Sequence, residues 1–128
     1  KLAKFLISNS FISELNKKSK NLSGGMQRRL SIAMALISEP QILFLDEPTL
    51  GLDVLARREL WASIKSLKGK VTIILTTHYM DEVENLSDRV GIMTKGQLTA
   101  VGTVAELTTQ TGTSKLEDAF VVLSGGVL

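Results

Sequence analysis

The chain has 128 residues, of which 44% are hydrophobic and 22% are charged, a composition typical of a globular domain with its own core. Its net charge of +2 is too small to indicate a nucleic-acid partner or binding to an acidic membrane surface. The chain has no cysteine and one histidine, which excludes disulfides and thiolate metal sites and argues against a metal site built from imidazoles. Every apolar run is far shorter than the roughly 20 residues that a membrane-spanning helix needs.

Two helices are predicted at the start of the chain. Apolar residues recur at helical spacing over residues 1–8, and the start inside this helix, at Lys1 rather than Met, indicates a fragment or an excised domain. A longer helix is predicted after Gly25. One apolar face of that helix is expected to carry Met26, Leu30, Ala33, Met34 and Ile37.

Two short apolar runs predict strands. Residues 41–45 are predicted to form a strand buried on both faces, and residues 71–76, rich in β-branched side chains, a second buried strand. Between them, residues 54–68 predict a helix that stops near Gly69. Its buried stripe is predicted to contain Ala56, Leu60, Ile64 and Leu67. This order implies parallel strands joined by a right-handed crossover.

The last third of the chain is predicted to contain a hairpin between short helices. The segments are, in chain order, a helix over 79–86, strands over 89–94 and 97–101, and helices over 103–109 and 115–123. The strands are joined by Lys95-Gly96, a hairpin signal. The last helix carries a narrow apolar stripe of Leu116, Phe120 and Leu123. The sequence therefore predicts an α/β fold.

Polar residues follow both buried strands of the first half. Asp46 and Glu47 end the first strand and His78 follows the second, so the three side chains are expected to meet at one edge of a parallel sheet, where such sheets bind ligands. Asp46 is suited to the Mg²⁺ shell, since Mg²⁺ takes few carboxylates and keeps several waters. Glu47 is placed to orient or deprotonate a water. From these residues alone, two solvated carboxylates and a packed histidine remain the alternative.

Leu22-Ser23-Gly24-Gly25 precedes the long helix and has two interpretations. Ser23 is suited to capping the helix, with the glycines giving backbone freedom, and this interpretation is favoured on the local sequence alone. The other interpretation is a phosphate site at the positive end of the helix, with no side chain in the way. Asp53 is likewise expected to cap the helix that follows it.

Four segments occur in one order at close spacing: Leu22 to Gln27, Ile42 to Thr49, Gly51 to Asp53, and Thr76 to His78. In this combination the chain resembles the ABC (ATP-binding cassette) ATPase family, whose signature motif, Walker B segment, D-loop and switch histidine they match. The resemblance covers essentially the whole chain. It implies a partial P-loop NTPase-like domain, in which residues 1–38 end a helical subdomain, residues 41–102 form the sheet core and residues 103–128 form C-terminal helices.

The resemblance also implies a mechanism with ATP and Mg²⁺. Two ATPase domains of this family pair head to tail, and Leu22, Ser23, Gly24 and Gly25 would bind the γ-phosphate of the ATP held by the opposite domain. Glu47 would polarise the attacking water, His78 would contact the γ-phosphate and Asp46 would support Mg²⁺. Asp53 would communicate across the dimer.

The loop that cradles phosphates in these ATPases, G-x-x-x-x-G-K-[ST], is not found in the sequence. The chain is therefore expected to be the C-terminal half of the domain and to be inactive alone. Met26, Leu50 and the tail around Phe120 resemble the ATPase subunits of ABC-2-type exporters, which implies membrane-spanning transporter subunits as partners and a place on the cytoplasmic face of the cell membrane. A truncated fragment that only docks on a partner ATPase remains the alternative.

Overall fold

The computed structural model describes residues 22–126, which fall into two compact units divided between His78 and Tyr79. The helix predicted over residues 1–8 lies outside the described residues. Strands and helices occur in both units, which confirms the predicted α/β class. Within residues 22–126, no helix is long and apolar enough to cross a membrane.

The first unit contains two helices and two parallel strands. Its elements are α1 (Gly24–Leu36), β1 (Ile42–Asp46), α2 (Val54–Lys65) and β2 (Thr72–Thr76). The register pairs Ile42 with Thr72 and Asp46 with Thr76, so both strands run in the same direction and end side by side. The predicted strand–helix–strand unit is therefore confirmed, with strand bounds shifted by at most one residue.

Helix α2 supplies much of the core of this unit. Leu60, Ile64 and, just after the helix, Leu67 are buried, as the apolar stripe predicted, whereas Ala56 of the same stripe is only half-buried. Trp61 is also buried. The helix ends at Lys65, before the predicted stop. Gly69 instead adopts a left-handed conformation (φ +79°) in the turns that lead to β2.

The buried face of α1 agrees with the prediction only at Ala33. Met34 and Ile37 are 63% and 66% exposed, and the buried residues of the helix are Gly25, Arg29, Ile32 and Ala33. A Cβ on Gly25 would lie 3.5 Å from Ala56 Cβ, so the glycine side of α1 lies close to α2. Arg29 Nη2 donates to Glu59 Oε2 on α2 at 2.9 Å. A glycine contact and an ion pair, which a search for apolar periodicity does not register, select the face of α1 that packs.

The expectation that both strands are fully buried is also wrong. In β1, Leu43 and Leu45 are buried, whereas Ile42 and Phe44 are 50% and 72% exposed. In β2, exposed residues alternate with half-buried ones. Successive side chains of a strand point to opposite faces, and the described residues cover only one face of β1.

The second unit is a hairpin with three short helices. Its elements are α3 (Met80–Leu86), β3 (Val90–Thr94), β4 (Gln97–Gly102), α4 (Val104–Thr111) and α5 (Leu116–Leu123). Lys95 and Gly96 both have positive φ, which a two-residue hairpin turn of type I′ requires, and the predicted hairpin is confirmed. Ile92, Leu107 and Leu116 form the buried core, with Phe120 and Leu123 packed against it as the predicted stripe requires.

Candidate functional site

The carboxyl edge of the parallel strands brings polar side chains of both strands together. Asp46 and Thr76 are the last residues of β1 and β2 and are partners in the register. The Thr76 hydroxyl donates a hydrogen bond to Asp46 Oδ1. One oxygen of the Asp46 carboxylate is therefore oriented by the neighbouring strand, although both residues are exposed.

Glu47 turns the chain out of the sheet immediately after Asp46. Its N–H donates to the Thr76 carbonyl oxygen at 2.9 Å, which extends the pairing of the strands by one residue. Its φ is +46°, in the left-handed region that non-glycine residues rarely adopt. Such a conformation persists where its surroundings fix it, and it is concentrated at functional sites.

Glu47 and His78 are in direct contact. His78 Nδ1 lies 2.9 Å from Glu47 Oε1, so an ionised carboxylate accepts a hydrogen bond from the ring N–H. Glu47 Oε2 is buried and has no hydrogen-bond partner among the described residues. A buried acceptor of this kind favours binding of a donor such as water. Asp46, Glu47 and His78 therefore lie together at one edge of the sheet, as the sequence predicts.

The donor set at this edge suits Mg²⁺ bound mainly by water and phosphate. Among residues 22–126, no group of three or more His, Asp or Glu side chains is arranged to hold a metal ion by itself. Mg²⁺ usually keeps several waters and uses one or two carboxylates together with substrate phosphates. The exposed Asp46 carboxylate, oriented by Thr76, fits that requirement.

The N-terminus of α1 carries the other predicted ligand residues. Ser23 Oγ accepts from Met26 N–H at 3.2 Å, so the predicted cap is confirmed. Leu22 is buried, Gly24 is exposed and Gly25 is buried. Because Ser23 Oγ accepts from the helix, its own proton can point outward to a ligand, and capping does not exclude phosphate binding.

Asp53 caps α2, as expected, and lies in the loop that follows Glu47. Its Oδ1 accepts from Ala56 N–H at 2.8 Å. This loop also contacts α1, because Arg28 Nη2 donates to the Leu50 carbonyl oxygen at 3.1 Å. The loop therefore joins the Glu47 side of the unit to the helix that begins after Ser23.

Sequence reasoning did not select two residues that contact the site. Thr76 was found only as part of a motif, but an alignment of the two parallel strands would have paired it with Asp46. Arg28 gave no signal, because its acceptor is a backbone carbonyl 22 positions away. Interactions of that kind depend on the fold and not on a local pattern.

Two carboxylates and a histidine at the carboxyl edge of parallel strands are residue types suited to phosphate and metal chemistry. Comparisons with known proteins identify the class more closely. The family model described as ABC transporter matches residues 2–50. ABC transporter A family member 9 of Arabidopsis thaliana is 51% identical over 96 residues, which are 75% of this chain and 10% of that protein. A daunorubicin resistance ATP-binding protein of Streptomyces coeruleorubidus is 46% identical over 102 residues, or 79% of this chain and 32% of that protein.

A solved structure, an ATP-binding subunit of an ABC transporter, matches 96% of this chain with a TM-score of 0.78 and 30% identity. The chain therefore belongs to the ABC transporter ATPase family. It covers 52% of that solved chain and a third or less of the two curated relatives. The sequence resemblance and the expected partial ABC ATPase fold are both confirmed.

Proposed function

We propose that this chain is the C-terminal half of an ABC transporter ATPase domain and supplies the groups that activate water for ATP hydrolysis. The observation that carries the proposal is the contact of Glu47 with His78, at 2.9 Å, beside the Asp46 carboxylate. Membership of the family supports it. The contact also favours an ATPase over a fragment that only docks on a partner, because docking does not require a carboxylate and an imidazole to meet.

Glu47 is the residue that orients the attacking water and accepts its proton. Its carboxylate is fixed on one oxygen by His78 and presents a second, buried oxygen without a partner among the described residues. A base held in this way costs little reorganisation when the reaction occurs. His78, when both ring nitrogens are protonated, holds Glu47 through Nδ1–H and donates from Nε2–H to an oxygen of the γ-phosphate.

Asp46, oriented by Thr76, would hold the Mg²⁺ that accompanies ATP, mainly through bound water. That ion supplies neutralisation of phosphate charge. Leu22, Ser23, Gly24 and Gly25 place the positive end of α1 and the Ser23 hydroxyl towards a γ-phosphate held by a second ATPase domain. Asp53 lies in the loop that would transmit the state of one site to the other.

The proposed partners are those that membership of the family supports. The chain works in a head-to-tail dimer with a second ATPase domain and with membrane-spanning subunits, at the cytoplasmic face of the cell membrane. Transport is in the direction of export, which is supported by the 46% identity to a daunorubicin resistance ATP-binding protein. No nucleic acid is involved. Because the sequence has no phosphate-cradling loop, the 128 residues alone do not hydrolyse ATP.

The test is Glu47→Gln in the full-length protein. We expect steady-state hydrolysis to fall about 100-fold or more, because the amide keeps size and hydrogen bonding but is not a base. ATP binding persists, and size-exclusion chromatography with ATP shows a trapped dimer. Glu84→Gln, an exposed carboxylate on α3, is the matched control and keeps the normal rate. A Glu47→Gln protein that stays monomeric with ATP and still hydrolyses it would contradict the assignment.

A further inference from the structure

Two overlapping hydrogen-bonded turns follow the left-handed residue Glu47. The Leu50 N–H donates to the Glu47 carbonyl oxygen at 3.2 Å, and the Leu52 N–H donates to the Thr49 carbonyl oxygen at 3.1 Å. Thr49 itself is fully buried. The residues directly after Glu47 therefore form consecutive tight turns, and a shift of Leu50 moves the backbone of Glu47.

The orientation of the Leu50–Gly51 peptide is set by an arginine of α1. Arg28 Nη2 donates to the Leu50 carbonyl oxygen at 3.1 Å. The next residue, Gly51, has a φ of +80°, which a residue with a Cβ rarely adopts. A peptide next to such a glycine has alternative orientations, and the Arg28 donor stabilises the one observed.

Close packing supports this contact. A Cβ on Gly24 would lie 3.2 Å from Leu52 Cδ2, and a Cβ on Gly25 would lie 3.5 Å from Ala56 Cβ. The first turn of α1 thus lies against the loop and the start of α2. A series of hydrogen bonds connects Arg28 to the candidate site. Arg28 donates to the Leu50 carbonyl oxygen, the Leu50 N–H donates to the Glu47 carbonyl oxygen, and the Glu47 carboxylate contacts His78.

We propose that Arg28 is a positioning residue for Glu47, acting through the Leu50 peptide. The proposal rests on the proposed function, in which Glu47 activates water. Arg28 touches no reacting atom in this arrangement. It restricts the loop from residue 49 to residue 53 to the conformation that keeps Glu47 in its left-handed turn with its carboxylate on His78. This contact from a different helix thereby offsets the conformational free energy that the left-handed backbone of Glu47 costs.

The experiment uses Arg28→Met in the full-length protein, which keeps the length of the side chain and removes the donor. We expect kcat for ATP with Mg²⁺ to fall about tenfold, the fold-change that loss of one hydrogen bond of ordinary strength gives. KM for ATP stays within about twofold, because ATP affinity does not depend on Glu47. Arg28→Lys restores most of kcat. Arg58→Met, an exposed arginine on α2, is the matched control and leaves kcat and KM unchanged.

A second readout does not depend on ATP hydrolysis. Hydrogen exchange of the Leu50 amide should be about tenfold faster in Arg28→Met, while amides in the middle of α2 keep their rates. An unchanged kcat and an unchanged Leu50 exchange rate would each overturn the proposal. A parallel loss of kcat, ATP affinity and melting temperature would also overturn it, since it would indicate a structural role alone. If Glu47→Gln keeps its activity while Leu50 exchange responds to Arg28→Met, the proposed function fails and the contact stands.

Discussion

The two units of the molecule are stabilised by interactions of different range along the chain. In residues 22–78, the side-chain contacts that build the site join distant positions: Asp46 and Thr76 are 30 apart, and Glu47 and His78 are 31 apart. In residues 79–126, local interactions dominate. Thr103 and Glu106 form a capping box, and Gly112 ends α4 in a left-handed conformation.

The difference shows what the candidate site depends on. A capping box or a hairpin turn is complete within a few residues, so it forms wherever the sequence occurs. The contact of Glu47 with His78 exists only when β1 and β2 pair in one parallel register. The two strands are connected by 25 residues of chain that include α2. An arrangement of side chains that depends on the whole unit is lost as soon as that unit opens.

The largest effect is expected from opening the first unit at α2. Leu60 is fully buried, so Leu60→Ala should lower the free energy of unfolding by about 2–5 kcal/mol. Leu55→Ala on the same helix, where the side chain is 69% exposed, should change it by about 0.5 kcal/mol or less. Urea unfolding measures both variants. Equal losses would mean that α2 does not support the register in the way its burial indicates.

The contrast between local and long-range interactions also explains which features could be predicted from the sequence. The hairpin at Lys95 and the stripe of α5 were predictable, because turn chemistry and helical spacing are local signals. The meeting of Asp46, Glu47 and His78 at one edge was predictable because parallel strands end at the same edge. The residues that form hydrogen bonds to the site region from other elements were harder to predict. Arg28 donates to a carbonyl group, and no pattern of side chains marks a carbonyl acceptor.

The errors in the predicted core have the same physical origin. The α1 stripe was assigned from apolar spacing, whereas Gly25 and Arg29 face the packed side. The exposure of Phe44 was missed because the apolar sequence of a strand indicates that its side chains favour burial. It does not indicate which segment of the chain covers them. A sequence pattern gives the periodicity of an element, and the partner that buries it is a property of the fold.

A smaller effect tests the local character of the second unit. Thr103→Ala removes the side chain that accepts from Glu106 N–H at 3.1 Å and should cost about 1 kcal/mol. Thr109→Ala, an exposed position on the same helix, is the control and should leave stability unchanged or raise it by about 0.5 kcal/mol, because alanine has the higher helix propensity. Thermal unfolding of the two variants separates the cap from helix propensity. A loss of ATP hydrolysis without a loss of stability in Thr103→Ala would contradict the local role of the cap.

The smallest effect concerns a local position in the first unit that is not optimal. Val54 is the first residue of α2, where the backbone N–H has no acceptor within the helix and proline is favoured. Asp53 before it has an extended backbone (φ −69°, ψ 171°), which is the conformation that a following proline requires. The Val54 side chain is 65% exposed, so little packing is lost. Val54→Pro should therefore raise the free energy of unfolding by about 0.4–1 kcal/mol, because it restricts the unfolded chain.

The matched control is Ala62→Pro in the interior of α2, which should cost about 3 kcal/mol, since it removes a helix hydrogen bond and clashes with the preceding turn. Both variants are measured by urea unfolding. A loss of stability in Val54→Pro would show that the start of α2 is constrained by the loop before it and not by the helix alone. The comparison would then sharpen: in the first unit even the start of a helix would depend on contacts such as that of Arg28 with Leu50, whereas the start of α4 in the second unit is capped by residues within the same turn.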